Sequence, residues 1–150
     1  MGIINIALAQ PDQIIAAQQF YDEQGYKGDA IKKDDRVVLA IDGLTIVGIA
    51  RISWEDNFLC LRGMRISKAY QRAGLGTRLL KALEELIFLH DCYCLPYLHL
   101  GAFYSQIGFL PLENNQLPQL LKRRIFAYLE QGIAVMAMYR PARIETSIEI

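Results

Sequence analysis

The chain has 150 residues, enough for one domain with a substantial hydrophobic core, and we expect residues 1–150 to form a single domain. Its 16 basic and 16 acidic side chains balance, which argues against a general nucleic-acid binder. No apolar run reaches the roughly 18 residues that a membrane-spanning helix needs, and the N-terminus lacks a basic signal-peptide start. We therefore expect a cytoplasmic protein with no nucleic-acid or membrane partner.

The first half of the chain predicts a strand, a helix and an antiparallel meander. A short strand begins at Ile4, and a helix begins at Pro11 and ends near Gln24. Three apolar, β-branched strands follow, and the turns Asp42-Gly43 and "EDN" separate them. These strands are "RVVLAID", "LTIVGIARISW" and "FLCLRGMRIS".

The second half predicts helices that alternate with strands. Apolar residues fall at helical spacing from Thr77 to Ile87, and "DCYCL" then reads as a short strand. Pro96 fits the first turn of a helix that ends at Gly108. "LPQLLKRRIFAYLEQG" predicts another helix, and "IAVMAMYRP" predicts the closing strand. Such crossovers after a meander indicate a mixed sheet with helices on its faces, an α+β fold.

The three cysteines are an odd number and form no metal-binding pattern. Cys60 stands alone, whereas Cys92 and Cys94 are two residues apart and point to one face of a strand. The chain has no second cysteine pair to complete a metal site. We interpret the cysteines as reduced, buried side chains and predict no bound metal.

Gly74 and Gly76 lie where the most strongly periodic helix is about to begin. Glycine is unfavourable inside a helix by roughly 1 kcal/mol relative to alanine, so their presence needs a reason. The first amides of a helix have no internal partner and carry about half a positive charge. Glycines there allow an anion such as a phosphate to bind to backbone amides alone. A tight strand-to-helix turn without a ligand explains the same residues.

The segment "QRAGLG" resembles the Arg/Gln-x-x-Gly-x-Gly/Ala motif of the GNAT superfamily of acyl-CoA-dependent N-acyltransferases. "FLCLRGMRISKAYQ" resembles the central strand of that family, and "FYSQIGF" resembles its Phe/Leu-Tyr-x-x-x-Gly-Phe signature. The motifs occur in the family's order, and the predicted elements match from Ile4 to Arg140. The resemblance implies a mixed, mostly antiparallel sheet with a central bulged strand and helices on both faces.

The resemblance also implies where coenzyme A binds. The family's glycine motif holds the pyrophosphate through backbone amides. The matching residues here are Gln71, Arg72, Ala73, Gly74, Leu75, Gly76 and Thr77. Gly63 matches the family's bulge, beside which the pantetheine arm pairs with exposed strand backbone. The matching backbone here is that of Met64, Arg65 and Ile66. An amide in the same gap can stabilise the oxyanion that develops on the thioester carbonyl.

Tyr104 is the catalytic residue that the resemblance implies, because the family's tyrosine lies near the coenzyme sulfur. A thiol pKa of about 8.5 and a tyrosine pKa of about 10 are close enough for proton donation to the leaving thiolate. A tyrosine that closes the helix against the sheet is the alternative. Glu55 lies where several relatives keep a glutamate and is the candidate general base, although a solvated hairpin turn explains it equally well.

The sequence therefore predicts an enzyme that transfers an acetyl group from acetyl-CoA to an amine by direct attack in a ternary complex. The acceptor is an amine of a small molecule or of a protein. A coenzyme A-binding sensor or regulatory module and an unrelated nucleotide-phosphate binder are the alternatives. A homodimer through the C-terminal segment is expected only from the resemblance.

Two further groups of residues have open assignments. The run Lys122-Arg123-Arg124 either forms a solvated helix face or attracts an acidic substrate or the coenzyme's 3'-phosphate. Several aromatic residues line the acceptor pocket or belong to the core. They are Phe20, Tyr21, Tyr26, Tyr128 and Tyr139.

Overall fold

A computed structural model describes residues 3–144, which form a single mixed sheet flanked by helices. The strands are β1 (Ile4–Leu8), β2 (Arg36–Asp42), β3 (Thr45–Glu55), β4 (Phe58–Ile66), β5 (Cys92–Cys94), β6 (Leu110–Leu112) and β7 (Ala137–Arg140). The helices are α1 (Ile14–Glu23), α2 (Leu75–Ile87), α3 (Gly101–Ser105) and α4 (Gln119–Glu130). The strand order is β1-β2-β3-β4-β5-β7-β6, and of these pairs β4–β5 is parallel and the others are antiparallel. The predicted α+β fold with a mostly antiparallel sheet is confirmed.

Helices cover both faces of the sheet, and the alternation of side chains along β4 shows how. Leu59 and Leu61 join the buried cluster that contains the apolar stripe of α2. Phe58 and Cys60, one residue out of step, join the cluster that contains α4. Helix α1 packs on this second face as well, through Ala17 and a cluster on β2 and β3. We call the two sides the α2 face and the α1/α4 face.

Strand β4 contains a bulge at Gly63. In its pairing with β3, Arg51 lies opposite Arg62 and Ile49 lies opposite Arg65. Two residues of β4 therefore span the place of one residue of β3, which is the geometry of a β-bulge. The bulge that the resemblance implied in the central strand is present.

The bulge depends on glycine and on a contact with α1. Gly63 has a φ of +70°, and its carbonyl accepts a hydrogen bond of 2.8 Å from the Tyr21 hydroxyl. Just before the bulge, the parallel pairing of β4 with β5 ends at Leu61 and Cys94. Beyond that pair the two strands separate, so the sheet is open between them.

The second half of the chain differs from prediction in two places. The helix expected from Pro96 to Gly108 is wrong in its extent: a 3-10 turn at Leu98–Leu100 precedes the short α3, and Pro96 lies outside both. The Pro96 carbonyl accepts a hydrogen bond from the Met136 amide at 2.9 Å, which ties this segment to the chain before β7. Strand β6 was not predicted, because it contains Pro111. Proline is tolerated there because β6 is an edge strand.

The three cysteines are unpaired and buried, as predicted. Burial raises the pKa of each thiol, so the groups stay neutral and act as small apolar side chains. Across residues 3–144, no helix has the length and apolar character to cross a bilayer.

Replacing Gly63 with alanine tests the constraint on the bulge. An alanine Cβ would lie 2.3 Å from the Tyr21 hydroxyl oxygen at a strained positive φ. We expect G63A to lower the free energy of unfolding by about 3 kcal/mol in urea denaturation. Gly43→Ala is the matched control, because its φ is +65° but no atom lies within 4 Å of its Cβ position. We expect Gly43→Ala to lower the free energy of unfolding by about 1 kcal/mol. Equal losses in the two variants would contradict the role of the Tyr21 contact.

Candidate active site

A cavity of about 210 Å³ lies where β4 and β5 separate. Leu100 and Tyr104 line it, and both pack with the α2-face cluster. Arg124 and Tyr128 of α4 also line it, from the α1/α4 face. The loop 25–28 after α1 completes the wall. The cavity therefore passes through the sheet and is accessible to groups on both faces.

The glycine turn presents unpartnered amides at the start of α2. Gly74 has a φ of +77° in the left-handed region, and the helix begins at Leu75. No side chain caps this end, and within residues 3–144 no backbone carbonyl accepts a hydrogen bond from the amides of Leu75, Gly76 or Thr77. Among residues 3–144, apart from its neighbours in the chain, no atom lies within 4 Å of a Cβ built on Gly74. The turn thus combines free amides with open space, which suits a phosphate group.

The presence of glycine at position 76 has a different physical explanation. A Cβ on Gly76 would lie 3.3 Å from Phe103 and 3.4 Å from Ile66, so the first turn of α2 packs closely at this position. Leu75 is buried, and only its backbone faces the turn. Close packing therefore favours glycine at position 76 whether or not a ligand binds.

The remaining turn residues lie at the surface or hold the turn in place. Arg72, with a φ of +70°, and Ala73 are exposed, and Thr77 is half-buried. Gln71 donates a hydrogen bond from Nε2 to the Ile66 carbonyl at 3.1 Å, which fixes the turn to the end of β4.

The strand residues after the bulge are only partly free for a ligand. Arg65 and Ile66 pair with β3 on one side, and parallel pairing with β5 has already ended on the other. Met64 and Arg65 line the cavity, whereas the side chain of Ile66 packs against the α2-face cluster. The Met64 carbonyl accepts a hydrogen bond from Arg65 Nη1 at 2.9 Å.

Tyr104 lines the cavity with a side chain that is 6% exposed. Burial raises the pKa of its hydroxyl above the ordinary value, and the neighbouring Cys94 adds to the rise while Arg65 opposes it. The hydroxyl is therefore protonated near neutral pH and can donate a hydrogen bond into the cavity, but the raised pKa makes it a weaker proton donor than an ordinary tyrosine.

Glu55 lies beneath a cluster of cations instead of in a solvated turn. Its carboxylate, on a side chain that is 2% exposed, accepts hydrogen bonds from three basic residues. They are Lys32 at 3.2 Å, Arg62 at 3.4 Å and Arg124 at 2.5 Å. Burial alone would raise the pKa of Glu55, but these cations outweigh it and lower the pKa. A carboxylate held ionised in this way accepts protons poorly, so the contacts argue against Glu55 as the general base.

Sequence reasoning missed Arg62 and named Arg124 only as one member of a basic run, although both arginines line the cavity. Arg62 is a charged residue inside an apolar strand, and this interruption was the available signal. Arg124 belongs to the basic run on α4, where Arg123 is exposed and Arg124 turns inward towards Glu55. Which residue of the run turns inward depends on the docking of α4.

The aromatic candidates divide between the cavity and the core. Tyr26 and Tyr128 line the cavity, whereas Phe20 and Tyr21 belong to the cluster under α1. Tyr139 lies in β7 with its ring 5.1 Å from that of Tyr93. Within the described part of the chain, no group of three or more His, Cys, Asp or Glu side chains could hold a metal ion.

Comparison with protein families identifies the family of the chain. The model of the Acetyltransferase (GNAT) family matches residues 4–109. The chain therefore belongs to the GNAT acetyltransferase family, whose members are acyltransferase enzymes. A search of curated protein sequences finds no significant match.

Solved structures share the fold at low sequence identity. The Escherichia coli ribosomal-protein-S18-alanine N-acetyltransferase is 13% identical, with a TM-score of 0.69 and 99% of each chain covered. Escherichia coli ElaA is 22% identical, with a TM-score of 0.66, and the match covers 92% of this chain and 99% of that one. N-acetylglutamate synthase from Neisseria gonorrhoeae, solved in complex with coenzyme A and N-acetyl-glutamate, is 16% identical, with a TM-score of 0.66. The match covers 96% of this chain but only 36% of the synthase.

Replacing Glu55 with glutamine tests its place in the cation cluster. Because the pKa of Glu55 is lowered, its ion pairs stabilise the fold above the ordinary glutamate pKa and are lost as the pH falls through the lowered value. We expect E55Q to lose about 2 kcal/mol of unfolding free energy at pH 7. The difference from wild type should shrink below about pH 4.3, in urea denaturation across pH. Glu85→Gln, at an exposed site on α2, is the control; an equal loss there would contradict the assignment.

Proposed function

We propose that the protein transfers the acetyl group of acetyl-CoA to an amine by direct attack in a ternary complex. The observation that carries the proposal is the separation of β4 from β5, which opens a cavity lined by Met64 and Tyr104. The free amides at the start of α2 add an anion site on the α2 face. Family membership supports the same class of reaction.

The residues on the α2 face fit coenzyme A in two parts. We assign the pyrophosphate to the turn from Gln71 to Thr77, where amides are free and Gly74 leaves open space. We assign the pantetheine arm to the backbone of residues 64–66, beside the gap in the sheet. The coenzyme A complex of the Neisseria gonorrhoeae synthase, which shares this fold, supports the choice of cosubstrate.

Acetyl-CoA supplies an acetyl group activated as a thioester. A bond forms between the amine nitrogen and the acetyl carbon, and the carbon–sulfur bond breaks. The nitrogen loses a proton, and the sulfur leaves as a thiolate that takes up a proton. Tyr104 is placed to donate a hydrogen bond to the developing thiolate, because its hydroxyl stays protonated. A backbone amide in the gap stabilises the oxyanion, and proximity supplies much of the rate.

A coenzyme A-binding module without turnover is the second candidate. The observation that favours it is the state of Glu55, which is saturated by cations. Among residues 3–144, no aspartate or glutamate lines the cavity. In the transferase proposal the amine loses its proton to water, so a carboxylate base is not needed.

Paired variants at Gly74 test the cosubstrate site. Gly74→Asp adds a negative charge beside the free amides, whereas Gly74→Asn imposes a similar side chain without charge. Asparagine also tolerates the left-handed backbone of this position. By calorimetry we expect G74D to weaken acetyl-CoA binding roughly 100-fold and G74N less than tenfold. A folded wild-type protein that binds no acetyl-CoA, or binds ATP or NAD in preference, would contradict the proposal.

Replacing Tyr104 with phenylalanine tests its role at the leaving group. We expect Y104F to lower kcat roughly 100-fold, with acetyl-CoA binding unchanged, because only the hydrogen-bond donor to the leaving thiolate is removed. The raised pKa also predicts no ionisation of Tyr104 in the pH–rate profile at about pH 10, where an ordinary tyrosine titrates. A stopped-flow thiol-release assay measures both. An unchanged kcat in Y104F would contradict a role at the leaving group and would indicate that Tyr104 only packs in the core.

A further inference from the structure

The bulge in β4 places two arginines on one face of the sheet. Side chains three residues apart on a regular strand point to opposite faces. Because the bulge inserts one residue, Arg62 and Arg65 both lie on the α1/α4 face. Arg62 contacts Glu55 there, and the Arg65 guanidinium lies over the Tyr26 ring at 5.1 Å. Arg124 reaches the same region from α4.

This end of the cavity carries an excess of positive charge. Arg62, Arg65, Arg124 and Lys27 line the cavity, whereas no carboxylate of residues 3–144 does. Glu55 shares its single negative charge among Lys32, Arg62 and Arg124. One carboxylate therefore faces three cations.

The other ion pairs do not remove this excess. The second partner of Arg62 is Asp29, whose side chain is 71% exposed, so water screens that pair. Within the part of the chain that the structure describes, Arg65 has no carboxylate within 4.0 Å.

The guanidinium groups are held in place with donors to spare. Each has five N–H groups. Arg62 meets its carboxylates through Nη1 alone, and Arg124 meets Glu55 through Nη2. Arg65 uses Nη1 for the Met64 carbonyl and is positioned by the Tyr26 ring. A planar guanidinium that is fixed in advance suits bidentate binding of a carboxylate.

We propose that the acceptor is a small amine that bears a carboxylate, and that Arg62, Arg65 and Arg124 bind this carboxylate. The inference rests on the proposed acetyl transfer and names its substrate class. The side chains of Arg62 and Arg124 are only 8% and 15% exposed, so the anionic group must enter the cavity. The cavity leads from these arginines to Tyr104, where the amine meets the acetyl group. Polyamines are disfavoured, because their charges repel the arginines.

Matched amine pairs test the inference with the full chain. Thiol release from acetyl-CoA is measured with each L-amino acid and with its own carboxamide, in which the α-carboxylate is neutral. Aspartate against asparagine and glutamate against glutamine test a side-chain carboxylate. Aminomethylphosphonate against glycine distinguishes a phosphonate from a carboxylate, and 1,4-diaminobutane tests a cationic acceptor. A peptide with acidic residues after its N-terminus tests a polypeptide acceptor. We expect kcat/KM to be roughly 10- to 100-fold higher for a carboxylate than for its amide.

Variants of the arginines supply the second measurement. Arg65→Gln and Arg124→Gln should raise the KM of the carboxylate acceptor about tenfold or more and reduce its preference over the amide. Arg123→Gln is the matched control, because Arg123 neighbours Arg124 but is exposed and should leave KM unchanged. Arg124→Gln also removes a partner of Glu55. Circular dichroism shows whether each variant is folded. If Arg124→Gln does not fold, Arg65→Gln still tests the inference.

The outcomes separate this inference from the transfer reaction itself. Acetyl transfer to amides, diamines, phosphonates or the peptide in preference to free carboxylates overturns the inference and leaves the transferase intact. Unchanged selectivity in folded Arg65→Gln and Arg124→Gln also overturns it. Acetyl-CoA binding without transfer to any amine overturns the transferase proposal. In that case, calorimetric binding of the amino acids but not of their amides would still show the carboxylate site.

Discussion

The bulge at Gly63 is the constraint on which the cavity, the position of α1 and the arginine cluster all depend. It follows the last residue pair of β4 and β5, so the sheet opens where the strand changes register. Its carbonyl anchors α1 through Tyr21, which leaves no room for a side chain at Gly63. The extra residue also turns Arg62 and Arg65 to the same face. One residue of backbone thus sets both the opening in the sheet and the charge around it.

The cation cluster shows how a buried carboxylate can serve structure instead of acid–base chemistry. Removing Glu55 and its partners from water is costly, and the ion pairs offset this cost only because their geometry is satisfied from three directions. In return, Glu55 holds Arg62 and Arg124 at the cavity wall, although these residues are far apart in sequence. Among residues 3–144, basic side chains and no carboxylate line the cavity that results, which favours anionic over cationic ligands.

The two glycines of the α2 turn serve different purposes despite their spacing. Gly74 provides a left-handed backbone and leaves empty space beside free amides, whereas Gly76 allows α2 to pack against Phe103 and Ile66. The geometry at Gly74 therefore fits the proposed phosphate site, whereas close packing explains Gly76 without a ligand. The tight packing at Gly76 fixes the direction in which the amides of the first turn point.

The sequence by itself determined strands β1 to β5 and β7, the amphipathic α2, the turn at Gly74 and the site of the bulge, because local backbone preference and the period of burial control these features. It did not determine α3 or β6, since Pro96 and Pro111 act through a distant segment and a sheet edge. Only the tertiary structure decided the role of Glu55 and the inward turn of Arg124. These two residues are 69 positions apart. Their contact depends on how α4 docks on the sheet, and no local pattern encodes that arrangement.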